Sequence, residues 1–352
     1  MNGKKFVILT LCLVLTLIVA GGALTAVVDP FFHFHGPLPG LQYPLDSQRY
    51  QNDGILRHFE YDAVLTGSSM TETFQTSEFD DLFGTNAVKV SLSGTTLKET
   101  GDQLKRAFSY GQDIRYILFS LDDFAIGAHK DLMSETFTYP TYLYDDDPFN
   151  DVKYVLNKTV LIDHTLAVFR HTISGEPTTS FDDYSNWMDR KTFGKDTILK
   201  DFVRPEKEES KGNATQEQLR QLEENLQQNV ISLVEAHPET RFYLFFPPYS
   251  IYSWDVRNQA GILQRDIDRN LRAAELLLPY ENVYLFGFDT CYDMICDPDN
   301  YADMNHYGSW INSQILQWMK EEEHRLTEEN YLDYFKDVRG FYTDFDYDRL
   351  YN

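Results

Sequence analysis

The feature that most constrains the fold of this sequence is a series of short apolar runs separated by segments of helical character. Each run is rich in β-branched or aromatic residues, and the pattern predicts five buried strands, at residues 63–66, 87–92, 114–121, 241–246 and 283–286. Strands that alternate with helices form parallel sheets covered by helices on both faces. In such sheets the reactive groups collect at the carboxyl ends of the strands. We therefore predict an α/β fold with a central parallel sheet and a site at that edge.

The N-terminus carries an uncharged apolar run at residues 6–28, preceded by Lys4 and Lys5 and followed by Asp29. At a rise of about 1.5 Å per residue, a helix of this length can cross a hydrocarbon core of about 30 Å. Because basic residues favour the cytoplasmic side, we predict a single-pass protein of the cell membrane with an extracytoplasmic body. A cleaved signal peptide is the alternative, since the small residues at 21–23 could form a cleavage site.

The order of these segments predicts four regions along the chain. They are a membrane anchor at 1–28, a juxtamembrane segment at 29–60, an α/β domain at 61–325 with an insertion at about 125–240, and an acidic aromatic tail at 326–352. Within the insertion we predict helices at 151–173 and 215–235 with a polar loop at 175–212 between them. Such an insertion shapes a cleft, docks a partner or only elaborates the structure. The tail is predicted to be a packed or partner-binding arm.

The formal net charge of the chain is −24. A nucleic-acid-binding protein needs a positive surface, so this charge argues against that class of partner. It also argues against a body that lies flat on anionic lipid. An acidic body suits a neutral or cationic partner, or serves solubility alone.

Metal chemistry receives little support from the sequence, and a disulfide is left open. His33 and His35 alternate as on one strand face, but no third ligand lies near them, so no metal site and no cofactor are predicted. Cys291 and Cys296 could form a disulfide outside the cytoplasm or remain free thiols.

The first motif with chemical potential is AVLTGSSMTETF, in which a buried strand ends at Thr66 and Gly67 allows a tight turn. A helix is predicted to begin near Met70. A serine at such a turn exposes its hydroxyl beside the positive end of the helix dipole, where an oxyanion would be stabilised. The alternative is a structural role, in which Ser68 or Ser69 only caps the helix.

The second motif is DPDNYADMNHYGSW, which places Asp303 and His306 just before a helix predicted at 307–323. A turn of this kind can aim the carboxylate at the imidazole, fix its tautomer and stabilise the imidazolium that forms during proton transfer. An acidic loop with a capping Asp and an incidental His is the alternative interpretation.

Together, the early Gly-Ser turn and the late Asp-x-x-His resemble the SGNH (GDSL-like) hydrolase superfamily. The closer resemblance is to the membrane-anchored DltD-like and alginate-acetylation-like group of Firmicutes, in which the turn also reads Gly-Ser-Ser. The segments that carry it are DPFFHFHGP, RYQNDGI and GSSMTETF, and it extends over residues of about 29–125 and about 240–310. It implies a flavodoxin-like, three-layer α/β fold behind one N-terminal transmembrane helix.

The resemblance also implies roles for individual residues. Ser69 would be the nucleophile, His306 its base and Asp303 the acid that orients the base. The backbone N–H groups of Ser69 and Gly94 would hold the oxyanion, and Ser68 occupies the middle position of the turn.

The sequence departs from the family pattern after the third strand, where the family supplies an Asn and this chain has Asp122 and Asp123. An ionised carboxylate cannot donate to an oxyanion, and loss of one donor costs on the order of 100-fold in rate. Either these acids bind a cationic or hydroxyl-rich substrate, or the oxyanion relies on backbone donors. Tyr249 and Tyr252, after the fourth strand, could stack on a sugar or form a structural wall.

The resemblance implies hydrolysis of an acyl ester, or O-acyl transfer, on a cell-envelope polysaccharide or teichoic-acid-like polymer. It also implies a multi-span membrane O-acyltransferase as a partner that supplies the acyl group. The alternatives are a non-catalytic envelope assembly or binding protein on a degenerate fold, and a free-standing secreted esterase.

Overall fold

The fold of the chain was obtained as a computed structural model that describes residues 3–145 and 147–351. Within these residues the strands are β1 (Ala63–Thr66), β2 (Ala87–Lys89), β3 (Tyr116–Ser120), β4 (Arg241–Phe246), β5 (Val283–Gly287) and β6 (Arg325–Leu326). The α-helices are α1 (Gly3–Val28), α2 (Gln48–His58), α3 (Thr76–Phe83), α4 (Leu97–Ser109), α5 (Asp123–Ile126), α6 (Val152–Val155), α7 (Leu166–Ser174), α8 (Lys195–Leu199), α9 (Gln216–Leu226), α10 (Ser232–Ala236), α11 (Ile251–Gln259), α12 (Leu263–Leu277), α13 (Tyr292–Cys296), α14 (Ser309–Glu321) and α15 (Tyr331–Asp344).

The strands form a single sheet in the order β2-β1-β3-β4-β5-β6. The first five pair in parallel, and β6 pairs with β5 in the antiparallel direction. The order 2-1-3-4-5 reverses the direction of winding between β1 and β3, and ligands of doubly wound sheets bind at this switch point. The segments that follow β1 and β3 therefore flank the expected position of a site.

The predicted α/β fold with a central sheet, flanking helices and one apolar N-terminal helix is confirmed, and the sheet is parallel except for β6. The strands differ from the predicted ones mainly at their ends. Beyond β2, the N–H groups of Val90 and Leu92 still donate to the carbonyl oxygens of Leu65 and Gly67, both at 2.8 Å, so the chain stays extended as far as predicted. The antiparallel strand β6 is too short to leave a sequence pattern.

The described chain divides into two compact units. Unit 1 contains residues 1–59 and 137–184, and unit 2 contains residues 60–136 and 185–352, including the whole sheet. Part of the predicted insertion thus belongs to the same unit as the N-terminal residues.

Unit 1 is built around the end of α1, a helix that is long and apolar enough to cross a membrane. Asp29 follows this helix with a φ of +50° and is fully buried. Its carboxylate accepts hydrogen bonds from the N–H groups of His33, Phe34 and His35 at 2.7 to 3.0 Å, and from the hydroxyl of Tyr154 at 2.7 Å. These bonds compensate the left-handed backbone and fix the direction in which the chain leaves the helix.

The side chains of the two histidines have different partners. The ring of His33 bonds to Asp151, and the ring of His35 bonds to backbone carbonyl oxygens.

The helix predicted at 151–173 is interrupted in the structure, which is a correction to the prediction. It consists of α6, a π-helical turn at Val160–Thr165 and α7. Tyr154 and Val160 turn inward to join the cluster of Phe31 and Leu143, and the break allows both to be buried.

Unit 2 contains the rest of the insertion and the tail. The helix predicted at 215–235 is present as α9, a π-helical turn at Gln227–Ile231 and α10. The predicted loop at 175–212 contains the short helix α8. The tail forms α15, which buries Phe335, Val338 and Tyr342, so the tail packs on its own unit. Cys291 and Cys296 are free thiols.

Candidate active site

The first element of the site is the turn that follows β1. Gly67 has a φ of +129°, and a Cβ atom there would lie 2.4 Å from Oγ of Ser120 at the end of β3. Only glycine fits this backbone conformation and this close approach. The N–H of Ser68 donates to the same Oγ at 3.3 Å, which pins the turn to the neighbouring strand.

The turn continues as a single 3-10 turn over Ser69–Thr71, and α3 begins only at Thr76. The helix predicted to begin near Met70 is therefore a single 3-10 turn and not an α-helix. Oγ of Ser68 accepts the N–H of Met70 at 3.1 Å and caps the 3-10 turn. The N–H of Ser69 opens this turn and, like other first N–H groups, has no acceptor within it.

The second element is the loop between Tyr301 and Tyr307, whose ends form an antiparallel bridge. Inside the loop, Oδ1 of Asp303 accepts the backbone N–H groups of Asn305 and His306, each at 2.9 Å. Two hydrogen bonds from one carboxylate to the following residues fix a tight turn. The spacing Asp-x-x-His is the spacing that this turn requires.

The structure brings Ser69, His306 and Asp303 into one line of hydrogen bonds. Oγ of Ser69 lies 2.7 Å from Nε2 of His306, and Nδ1 of His306 lies 2.8 and 3.0 Å from the two oxygens of Asp303. Ser69 and His306 are 237 positions apart in the sequence, and the parallel sheet brings them together.

Burial and charge act in opposite directions on these two titratable groups. Burial favours the neutral forms, but the hydrogen bond and charge of the partner outweigh it in both cases. The pKa of Asp303 is lowered to about 2, and the pKa of His306 is raised, with further help from the charges of Glu72 and Asp122. The pair therefore stabilises an imidazolium next to Ser69.

Ser69 and His306 open into a cleft of about 410 Å³. The side chains around it come from the ends of β1, β3 and β4, from α11 and α12, and from the Asp-x-x-His loop. They are Ser69, Met70, Asp122, Asp123, Phe124, Gly127, Tyr249, Ser253, Val256, Arg257, Ile262, Arg265, Asp266, Arg269, Met304, Asn305 and His306. The cleft lies at the switch point between β1 and β3, as the strand order requires.

Asp122 lines the cleft beside the turn that follows β1. It is 1% exposed, its Oδ1 accepts the hydroxyl of Tyr249 at 2.7 Å, and its Oδ2 accepts the hydroxyl of Ser120 at 2.8 Å. Burial raises the pKa of Asp122, although these hydrogen bonds oppose the shift. Both oxygens are thus occupied by donors of the protein, and through Ser120 this acid supports the turn.

Asp123 belongs to an ionic wall on one side of the cleft. It lies 2.8 Å from Nη2 of Arg257 and accepts a hydrogen bond from Asn270 at 2.9 Å. Burial would lower the pKa of Arg257, but the charges of Asp123 and Asp266 raise it. Asp123 is therefore paired with a cation of the protein itself.

Three of the residues singled out in the sequence lie outside the set that surrounds the cleft. Ser68 is buried as the cap of the 3-10 turn. Gly94 lies in an exposed turn after β2. Tyr252 is 2% exposed and packs edge-on against Tyr351, so its ring is a core residue.

Other residues of the site gave no signal in the sequence. The ring of Trp187 lies edge-on to His306 with centroids 5.3 Å apart. Glu72 accepts a hydrogen bond from Ser93 and so ties the turn after β1 to the loop after β2. Asn305 lines the cleft, and its Oδ1 accepts the hydroxyl of Ser253 at 2.9 Å. Asn305 and Glu72 were within reach of sequence reasoning, because they lie inside the two motifs, whereas Trp187 lies far from both along the chain.

No family model and no curated protein sequence matches this chain. A solved structure from Streptococcus pneumonia, provisionally described as a platelet activating factor, is similar with a TM-score of 0.40 and 14% sequence identity. The similarity covers 78% of this chain and 90% of that chain.

Proposed function

We propose that the protein is a serine-dependent acyl-ester hydrolase or O-acyltransferase. The observation that carries this proposal is the 2.7 Å contact between Oγ of Ser69 and Nε2 of His306, together with the hold of Asp303 on the other ring nitrogen. A serine hydroxyl is a weak nucleophile until a neighbouring base accepts its proton, and this arrangement supplies that base.

In the proposed reaction, Oγ of Ser69 attacks the ester carbonyl while Nε2 of His306 accepts the hydroxyl proton. Asp303 stabilises the imidazolium, which then gives the proton to the leaving alcohol. The acyl group remains on Ser69 until water or an acceptor hydroxyl, deprotonated by His306, attacks it and releases the serine.

The oxyanion of this reaction needs donors that the carboxylates of Asp122 and Asp123 cannot provide. We assign the role to the N–H of Ser69 and to the side-chain amide of Asn305, which faces the same cleft. The resemblance to the family implies Gly94 as well, but Gly94 is not among the residues that line the cleft, whereas Asn305 is.

The proposed substrate is an acyl ester on a polysaccharide or teichoic-acid-like polymer of the cell envelope. The apolar helix α1 and the two lysines before it favour a single-pass anchor with the body outside the cytoplasm. A multi-span membrane O-acyltransferase is the partner that would deliver acyl groups to Ser69 in the transfer reaction.

The proposal is tested by labelling the purified full-length protein with a fluorophosphonate, which reacts only with activated serines. We expect one phosphonyl group on Ser69, and no labelling of Ser69→Ala or His306→Gln. The control is Ser109→Ala, which removes an exposed serine hydroxyl at the end of α4 and leaves the turn after β1 unaltered, and it is expected to be labelled. A folded protein that is not labelled would reject the enzymatic proposal.

Hydrolysis and transfer are separated by following the fate of the acyl group. With p-nitrophenyl acetate as donor, a transferase is expected to acetylate glycerol or an envelope polysaccharide in preference to water. A hydrolase releases acetate at the same rate with and without the acceptor. In both cases Ser69→Ala removes the product.

The absence of a donor side chain at positions 122 and 123 favours a second candidate function, a non-catalytic protein that binds acylated envelope polymer. This candidate predicts that Ser69→Ala and the unaltered protein bind an O-acetylated polysaccharide equally and that neither reacts with the fluorophosphonate.

A further inference from the structure

Unit 1 carries a row of apolar side chains that its own core does not cover. Ile162, Leu166 and Ile173 are 43%, 41% and 85% exposed, and their spacing of four and seven residues places them on one face of the helical segment. On the opposite face Val160 and Val168 are buried in the unit. An exposed apolar stripe of this kind marks a surface that contacts a protein or a membrane.

The same segment packs on the C-terminal part of α1. A Cβ atom on Gly21 would lie 3.1 Å from Cδ2 of Leu161, and one on Gly22 would lie 2.8 Å from Cδ2 of Leu156. The hydroxyl of Thr165 reaches that of Thr25 at 3.4 Å. Small residues on α1 thus allow a close approach of the segment to the helix.

The position of these contacts along α1 indicates the environment of the exposed apolar side chains of Ile162, Leu166 and Ile173. A hydrocarbon core of about 30 Å takes up about 20 helical residues, so a core that begins near Phe6 ends close to Thr25. The contacts at Gly21 and Gly22 therefore lie at the edge of the hydrocarbon, and residues of α1 before Gly21 are exposed in the structure.

The charge of the segment differs in sign from that of the whole chain. Between residues 152 and 174 it contains Lys153, Lys158 and Arg170 against one acid, Asp163, whereas the chain as a whole has a net charge of −24. Basic residues that flank an apolar helix face are typical of helices at anionic lipid surfaces. The negative charge of the whole chain therefore does not keep this segment from anionic lipid.

We propose that Val152–Ser174 is a second membrane element that lies in the boundary between headgroups and acyl chains of the bilayer that α1 crosses. Its apolar stripe enters the acyl chains, and its basic residues contact anionic headgroups. Unit 1 is then fixed at the membrane surface by two elements instead of one. This inference depends on α1 being a membrane helix and not on the proposed enzymatic function.

The test uses the full-length protein in vesicles of phosphatidylcholine and phosphatidylglycerol, without other proteins. Single cysteines replace Ile162, Leu166 or Ile173 in a variant in which the three natural cysteines are serine. Each is labelled with the environment-sensitive fluorophore NBD. We expect a blue shift of the emission, quenching by nitroxide lipids and protection from aqueous iodide.

The matched control is Val203→Cys, because Val203 has the same exposure of 85% as Ile173 but lies in unit 2. Its label is expected to emit as in water and to be quenched by iodide. If the labels at 162, 166 and 173 also emit as in water, the proposal is wrong and a protein partner is the remaining occupant of the stripe. Ile173→Asp provides a second test, since it should weaken the lipid quenching of a label at 166 while circular dichroism shows the fold retained.

Discussion

Asp303 holds His306 twice, since its carboxylate accepts hydrogen bonds from Nδ1 of the ring at 2.8 and 3.0 Å and from the backbone N–H of the same residue at 2.9 Å. The acid that orients the base therefore also shapes the loop that carries it. The bond to the ring fixes the tautomer that carries its proton on Nδ1, so that Nε2 can accept the proton of Ser69.

The first prediction concerns this double hold. Asp303→Asn keeps an oxygen for the backbone N–H groups but no longer stabilises the imidazolium. We expect kcat for p-nitrophenyl acetate to fall by about 10³- to 10⁴-fold, as is typical for an orienting acid of such a triad. The control is Asp299→Asn, an exposed acid on the same stretch, which should leave kcat unchanged. A smaller loss than tenfold would argue that Asp303 serves only the loop.

The second prediction is the pH dependence of activity. His306 must be neutral to accept the proton of Ser69, and its pKa is raised above the ordinary value of 6.5. Activity should therefore fall as the pH drops through this raised pKa, and kcat/KM should be half-maximal above pH 6.5.

Removal of a charge that raises the pKa of His306 should move the acid limb, the fall of kcat/KM at low pH, to lower pH. In Asp303→Asn burial dominates, and burial lowers the pKa of His306. Glu72→Gln should move the limb in the same direction by a smaller amount, because the charge of Glu72 contributes less. An acid limb that stays in place in both variants would mean that another group controls the profile.

The sequence predicted the sheet well because buried parallel strands require continuous apolar runs. β1 and β4 match the predicted residues. It predicted the helices around 160 and 230 less well, since π-helical turns depend on which side chains the surrounding structure buries. The membership of residues 137–184 in unit 1 is likewise a tertiary property that no local pattern encodes.

For the site, the sequence placed Ser69 after a strand and Asp303 and His306 just before a helix, and the fold brings the three side chains together. It could not predict the role of Asp122, because the burial of an acid depends on donors from distant segments. Tyr249 lies 127 positions away from Asp122 and donates to it. Ser69 opens a 3-10 turn in place of an α-helix, and its half-buried hydroxyl still lines the cleft.

The third prediction separates the two tyrosines that follow β4. Tyr249→Phe removes a hydrogen bond to the buried Asp122, and we expect a loss of about 1–3 kcal/mol in the free energy of unfolding together with lower activity. Tyr252→Phe alters a ring that packs in the core, and both quantities should stay close to those of the unaltered protein. The measurements are denaturant unfolding and ester hydrolysis. A rise in KM for Tyr252→Phe would restore its predicted contact with substrate.

The fourth prediction concerns the turn itself. Gly67→Ala places a Cβ 2.4 Å from Oγ of Ser120, so Ser120 must move and its bonds to Ser68 and Asp122 weaken. We expect the variant to lose about 1–3 kcal/mol from its backbone conformation alone and to lose fluorophosphonate labelling. Gly84→Ala is the control, because Gly84 also has a positive φ but no atom within 4 Å of a Cβ. It should keep its labelling, and equal behaviour of the two variants would contradict the proposed close approach.

The last prediction concerns the oxyanion. If the side-chain amide of Asn305 donates to it, Asn305→Ala should lower kcat by about 10²- to 10³-fold with little change in KM, because the charge on the oxygen develops only in the transition state. Ser253→Ala frees the Oδ1 that now anchors this amide at 2.9 Å and should lower kcat in the same direction by less. The comparison of kcat and KM in both variants decides the role. An effect confined to KM would make Asn305 a substrate contact, and the oxyanion would then depend on backbone N–H groups such as that of Ser69.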